Sequence, residues 1–272
     1  MIHLNGRLID AADARIDPAD RGLLLADGLF ETLRVYDGRA YKLESHLARL
    51  ATGAKVLGLS VPAEDDIRLA ITETLAANQH REASLRITLT RGPSHRGLLP
   101  PAVTSPTLMV ASHPIAQSTW APMTAQVSSI RRNEHSPLSQ VKSLAYLDNI
   151  LALREAAEAG CEEALLLNTA GRMAGGSRSN VFVVLDGVLA TPPLSEGVLP
   201  GITRQILLEL AGSAGISVRE TPLSQADLEH ASEVLICNSL LEVRALIRIG
   251  RRQLAPGPVA EDLARRYRAL CG

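Results

Sequence analysis

The chain has 272 residues, 46% of them hydrophobic and 21% charged, a balance that suits a folded, core-forming protein and excludes a disordered one. A formal net charge of -1, with no basic run interleaved with aromatics, excludes an electrostatic nucleic-acid binder. No apolar run approaches a membrane span, no signal-peptide profile opens the chain, and Cys161, Cys237 and Cys271 are too scattered for a disulfide framework. A soluble, cytoplasmic protein without a membrane partner is expected.

Residues 2–9 alternate around Asn5-Gly6, the pattern of a small hairpin. Residues 20–26 read as a loop leading into a strand over 29–36, which returns through Asp37-Gly38 along 39–43. A helix opens at Ser45, keeps a 3.6-residue period through Leu47, Leu50, Ala54 and Leu57, and stops at Gly58; Lys55 falls on its solvated side. Pro62 and the acids at 64–66 open a second helix to Ala77. Strands follow over 85–90 and 107–111, separated by the basic, glycine-bearing loop Arg91 to Gly97. Residues 112–122, with two prolines and little pattern, read as a linker between an N-terminal lobe (1–111) and a C-terminal lobe (123–272) that carries Lys142.

The second lobe begins with a strand over 125–130 and a polar loop over 131–140. Leu144, Leu147 and Leu151 trace a helix closed by Gly160, and 163–168 is a strand. A hairpin turns at Asp186-Gly187, and Leu199-Pro-Gly-Ile-Thr203 leads into an apolar helix. Ser224 and Asp227 cap a short helix, strands lie at 234–237 and 243–249, and a helix runs from Pro258. Hairpins mixed with helices, rather than a repeating βαβ series, give an α+β fold class.

Three features bear on chemistry. The chain has three lysines, Lys42, Lys55 and Lys142, although Lys and Arg together number 28. Arg stays protonated, whereas a desolvated Lys amine can act as a nucleophile, so a lysine kept at position 142 invites a chemical reading beside that of a solvated charge at a helix start. The helix start after Pro200 could offer backbone N–H groups to a phosphate, or Thr203 could be an ordinary N-cap. The seven histidines show no metal-ligand spacing, no G-x-S-x-G elbow occurs, and no metal is expected. One special lysine, a helix-terminus anion site and several arginines suit a lysine that forms an imine with a phosphorylated aldehyde cofactor.

In order and spacing, several segments together resemble one family. They are Asp20-Arg-Gly, Asp27-Gly-Leu-Phe-Glu-Thr, His46-Leu-Ala-Arg-Leu50, Val141-Lys-Ser-Leu-Ala-Tyr-Leu, Ser179-Asn-Val-Phe, Thr191-Pro-Pro-Leu, Leu199-Pro-Gly-Ile-Thr-Arg204 and Cys237-Asn-Ser-Leu. The family is that of the pyridoxal-phosphate enzymes of fold type IV, the class IV group of branched-chain and D-amino-acid aminotransferases, amine transaminases and aminodeoxychorismate lyases. The resemblance implies two α/β lobes with pyridoxal 5'-phosphate between them and a homodimer. It implies Lys142 as the cofactor lysine and catalytic base, Arg49 on the cofactor phosphate with the N–H groups of Ile202 and Thr203, and a hydroxyl from Ser239. It also implies Tyr146 at the cofactor's 3-hydroxyl, Ser179 and Asn180 in a turn near the ring, and Phe30, Leu98 and Leu240 toward substrate. Arg96 lies where D-amino-acid enzymes place a carboxylate-binding Arg contributed by the partner subunit.

Three departures accompany the likeness. Gly175 stands where the family has a Glu that keeps the pyridine nitrogen protonated, and Arg178 follows close by. Leu98 stands where the D-amino-acid enzymes have His, and Leu25-Ala26 replaces an aromatic-Gly pair. The activity implied is transamination of an amino acid or amine with a 2-oxo acid. The alternatives are aminodeoxychorismate lyase, suggested by Arg91 to Gly97 and Ile236 to Leu240, and a cofactor-binding homologue with low turnover because of Gly175. A glutamate restored at 175 is expected to raise transamination.

Overall fold

Strand alternation builds the first sheet. The computed structural model describes residues 1–115 and 120–271. Here β1 (Ile2–Leu4) and β2 (Arg7–Ile9) form the expected hairpin, followed by α1 (Arg21–Leu25), β3 (Gly28–Tyr36), β4 (Arg39–Ala40), α2 (Leu43–Leu57), α3 (Glu64–Asn78), β5 (Ala83–Thr90) and β6 (Thr107–Pro114). The six strands pair antiparallel in the order β2-β1-β6-β5-β3-β4. Leu29, Leu33 and Val35 of β3 and Leu85, Ile87 and Leu89 of β5 meet Leu47, Leu50 and Ala54 of α2, burying the apolar stripe that the helix period laid down.

The second sheet is mixed. Its elements are β7 (Met123–Arg132), α4 (Leu147–Glu158), β8 (Glu163–Asn168), β9 (Met173–Gly176), β10 (Asn180–Leu185), β11 (Val188–Thr191), α5 (Ile202–Ser213), β12 (Val218–Glu220), α6 (Gln225–His230), β13 (Glu233–Asn238), β14 (Glu242–Ile249), β15 (Arg252–Gln253) and α7 (Pro258–Cys271). The main path runs β12-β11-β10-β13-β14-β7-β8-β9, with β15 on β14. Its core gathers Met123, Leu165, Met173, Val181, Ile236 and Leu246. Ser224 and Asp227 make the expected reciprocal cap of α6. Among the described residues, no helix is long and apolar enough to cross a membrane.

Several boundaries differ from those read in the sequence. Residues 20–26 hold a short helix, because the Asp20 carboxylate accepts from Gly22 N and caps it. Ser112 to Pro114 extend β6 instead of starting a linker, since they pair with Ala83, Ser84 and Leu85; residues 116–119 of the expected linker lie outside the described residues. The largest correction concerns Lys142. By compactness the chain divides into Met1–Gln117 with Val141–Ala145, and Ser118–Gln140 with Tyr146–Gly272, so the lysine belongs to the first unit. Residues 141–145 do not open a helix, because their backbone is engaged along β3: Phe30 N–H donates to Lys142 O at 3.0 Å and Leu144 N–H to Gly28 O at 3.0 Å.

Buried charge ties the first unit together at Asp27. Its carboxylate accepts from Arg21 Nε and Arg91 Nε, both at 2.8 Å, and from Arg91 Nη2 at 3.0 Å. Burial opposes ionisation there, but the hydrogen bonds from Arg91 and Arg21 outweigh it and hold the carboxyl below its usual range. Arg21 also donates to Gly97 O and Leu98 O, both at 2.8 Å, which fixes the loop carrying Arg96. Asp27→Asn, leaving two buried guanidinium groups without their carboxylate, is expected to cost about 3 kcal/mol, read as a lower urea midpoint.

Candidate active site

In the first unit, β3 presents functional groups on both faces. Phe30, 7% exposed, lies under Lys142, whose Nζ is 4.2 Å from the ring centroid; Arg86 Cζ is 4.0 Å from the same centroid. The next residue, Glu31, points to the opposite face and is 1% exposed. Its Oε1 accepts from Arg49 Nε at 2.8 Å and its Oε2 from Arg49 Nη2 at 2.6 Å, a bidentate fork. His46 Nδ1 meets Glu31 Oε2 at 2.7 Å. Burial alone would raise the Glu31 carboxyl, but the charge and hydrogen bonds of Arg49, with His46, pull it down to about 2. Burial pushes the His46 imidazole below its ordinary value, and the charges of Arg49 and Lys142 act the same way against the Glu31 carboxylate.

Lys142, Arg49 and Phe30 are thus gathered in one unit, together with Glu31, which the sequence reading passed over. Its signal was present: a carboxylate between Leu29 and Leu33 on the core-facing side of an alternating strand. Arg96 and Leu98 lie in the same unit, both exposed, on the loop pinned by Arg21.

The second unit holds the remaining candidates. Gly201 is the N-cap of α5 and offers no side chain, so Thr203 is a buried helical residue rather than the cap. The N–H groups of Ile202 and Thr203 lie in the first turn, where helix geometry provides no partner. The Asn180 amide donates to Leu199 O at 3.0 Å, and a Cβ on Gly201 would lie 1.9 Å from Asn180 Oδ1, so a side chain there would displace that amide. Asn238 serves the turn that carries Ser239 and Leu240: it accepts from Leu240 N at 2.9 Å and Leu241 N at 2.6 Å, and donates to Arg178 O at 2.9 Å.

Beneath the 175–180 turn lies Glu163, fully buried. It accepts from Ser177 N at 3.1 Å, from the Ser177 hydroxyl, and from Ser179 Oγ at 2.9 Å. Asn149 donates to Ser177 O from α4, whose N-cap residue is Tyr146. Arg132 is a further cation that sequence reasoning missed. It lies near Tyr146 and Asp148, and burial pushes its guanidinium below the ordinary value. Gly175 is buried with φ +112°, and a Cβ there would meet Ser179 O at 3.0 Å. Only glycine adopts this backbone without strain.

Two outcomes follow from these environments. Gly175→Glu is expected to cost about 1–3 kcal/mol in thermal unfolding, so any gain in turnover would require a rebuilt turn. For acid stability, Glu31 titrates at about 2 against 4.5 for an ordinary Glu, so its contribution is complete above pH 4.5 and is lost as pH falls toward 2. That contribution is on the order of 3 kcal/mol. His46, below its ordinary 6.5, must take up a proton against burial as pH falls, so it too is destabilising in acid. The urea midpoint is expected to drop between pH 7 and pH 5, less so in His46→Gln, and to drop again below pH 4.5.

The model of the amino-transferase class IV family matches residues 28–249. A Methanocaldococcus jannaschii protein, provisionally a branched-chain-amino-acid aminotransferase, is 37% identical over 263 residues, covering 96% of this chain and 91% of the relative. The branched-chain aminotransferase of the archaeon Thermoproteus uzoniensis, solved with norvaline, superposes with TM-score 0.94 at 30% identity, covering 99% of this chain and 94% of that one. The 4-amino-4-deoxychorismate lyase of Pseudomonas aeruginosa gives TM-score 0.89 at 31% identity, covering 99% and 98%. The fold is therefore that of the fold type IV enzymes, with pyridoxal phosphate as cofactor, and the chain belongs to the class IV aminotransferases.

Proposed function

We propose that this enzyme moves the amino group of an aliphatic amino acid to a 2-oxo acid in the cytoplasm, with Lys142 as its catalytic base. The observation that carries the reading is Lys142 held by backbone hydrogen bonds along β3, with Arg49 forked on the carboxylate of the neighbouring residue. When bound, pyridoxal phosphate supplies an aldehyde for the donor's amine and a ring that accepts the electrons of the Cα–H bond. Arg49 would hold the phosphate, for which the N–H groups of Ile202 and Thr203 and the Ser239 hydroxyl are the further candidate donors. Tyr146 would donate to the 3-hydroxyl, and Ser179 and Asn180, which hold the turn at Gly175, would face the ring. Lys142 Nζ, as the base, would take up the proton from the donor's Cα and hold it for return. The residues present fit the cofactor in the amine, the guanidinium and the uncapped helix start; at Gly175 they supply no carboxylate. Phe30, Leu98 and Leu240 give substrate an apolar surround, which suits an aliphatic side chain.

A second copy of the chain belongs to this reading. Leu23, Leu24 and Leu25 on α1 are 66%, 60% and 45% exposed, and Leu98, Leu99 and Val103 are 83%, 90% and 85% exposed. Beside them a groove of about 570 Å³ is lined by Arg21, Leu24, Leu25, His95, Arg96 and Leu98. So much apolar surface suits a covered face, and a homodimer in which each Arg96 loop serves the partner's site covers it.

Pyruvate elimination from aminodeoxychorismate is the second reading, favoured by the extent of the likeness to the lyase structure. Incubating the purified enzyme with branched-chain L-amino acids, D-alanine, or aminodeoxychorismate separates the readings. Oxo-acid formation from an amino acid, without 4-aminobenzoate from aminodeoxychorismate, supports transamination; the reverse result overturns it. Lys142→Ala is expected to lower turnover by about 10²–10⁴-fold. Leu99→Glu is expected to shift the protein from dimer to monomer in sedimentation velocity.

A further inference from the structure

Glu31 occupies a position that strand alternation reserves for an apolar side chain, between Leu29 and Leu33 on the face of β3 that meets α2. Burying a carboxylate there costs solvation, and a buried ion pair is commonly no more stable than a well-packed apolar substitute. Core stability alone does not explain it. Its geometry offers another account. Both oxygens are engaged by residues one turn apart on α2, with Arg49 Nε and Nη2 at 2.8 and 2.6 Å and His46 Nδ1 at 2.7 Å. A guanidinium is planar, so two bonds of the fork fix its plane and with it the direction of every remaining N–H. The ionised carboxylate accepts from His46, which places the ring proton on Nδ1 and makes the imidazole a brace for the carboxylate.

We propose that Glu31 is a positioning residue for the cofactor: it holds the Arg49 guanidinium in the one orientation that recognises a phosphate monoester. By this means the enzyme prefers the phosphorylated aldehyde to pyridoxal. The inference rests on the proposed reading of Arg49 as the phosphate residue and deepens it. Because Glu31 cancels the guanidinium's charge, the preference comes from hydrogen-bond direction rather than net attraction. Binding of a phosphate is then sensitive to a displacement of about 1 Å.

The test compares capture of pyridoxal phosphate with capture of pyridoxal by wild type, Glu31→Gln, Glu31→Asp and Arg49→Gln. Affinities are measured by equilibrium dialysis, and borohydride reduction followed by mass spectrometry reads which aldehyde is held on Lys142. Expected is at least a ten-fold loss of the phosphate preference in Glu31→Gln, with pyridoxal capture unchanged within two-fold, and partial recovery in Glu31→Asp. Equal losses for both aldehydes, or an unchanged preference, overturn the proposal. If Glu31→Gln does not fold, Glu31→Asp decides alone. It keeps the charge but withdraws the carboxylate by one methylene, so a preference equal to wild type overturns the proposal and a reduced one supports it. Should Arg49→Gln retain the phosphate preference, the reading of Arg49 itself fails. Loss in Arg49→Gln with retention in Glu31→Gln removes only the positioning role.

Discussion

Two backbone hydrogen bonds along β3, Phe30 N–H to Lys142 O and Leu144 N–H to Gly28 O, are the constraint on which the placement of Lys142 depends. A lysine on a free loop spends entropy each time its amine is placed; one whose flanking peptide groups continue a strand does not. The same strand then serves twice, because successive side chains leave it on opposite faces. Phe30 supports the Lys142 amine from one face and Glu31 the Arg49 guanidinium on the other. A shift of one residue in the register of β3 against β5 would exchange those roles, and the eight paired positions from Gly28 to Val35 guard against it.

The second unit reaches comparable order by a different route. Its turns are held by side-chain amides and one carboxylate: Asn180 on Leu199 O, Asn238 on Arg178 O, and Glu163 under Ser177 and Ser179. Such turns carry backbone groups that no ladder satisfies, so each needs a nearby polar side chain. A short amide placed at the end of a strand supplies one at small entropic cost. The pattern explains why asparagines, rather than long flexible residues, cluster at 180 and 238.

Periodicity made α2, α3 and β5 legible in the sequence, because each buries one regular face. Asp-Gly turns marked the ends of β3 and the hairpin of β10 and β11, which are buried on both faces. Strand β9 was not legible: Met-Ala-Gly-Gly has no alternation, and it becomes a strand only by pairing with β8. Residues 141–145 were misread for a related reason. Leu144, Leu147 and Leu151 satisfy a helical spacing, but tertiary hydrogen bonds to β3 override that local pattern for the first of them. Motif order singled out Lys142 and Arg49 but not Glu31, which stands out only through what it touches. A charged residue in an apolar alternation was the available signal, and it needed α2 in place to acquire meaning.

Gly175 shows how far a residue's absence can be read. From the sequence it is a missing carboxylate, a simple loss. In the fold, φ is +112° and Gly176 N–H donates to Ser179 O at 2.7 Å, so the turn is closed in a conformation built on glycine. A carboxylate side chain at 175 would therefore strain the turn that the glycine closes. Arg178, the cation that follows in the sequence, is held by its own partners. Its Nη2 donates to Glu162 O at 3.0 Å, and its Nε lies 3.7 Å from the buried Glu163 carboxylate. With Glu163 also accepting from Ser177 and Ser179, the guanidinium is bound to the carboxylate that braces the turn from below. The cation thus reinforces the glycine turn through Glu163, and its position follows from that carboxylate rather than from the residue missing at 175.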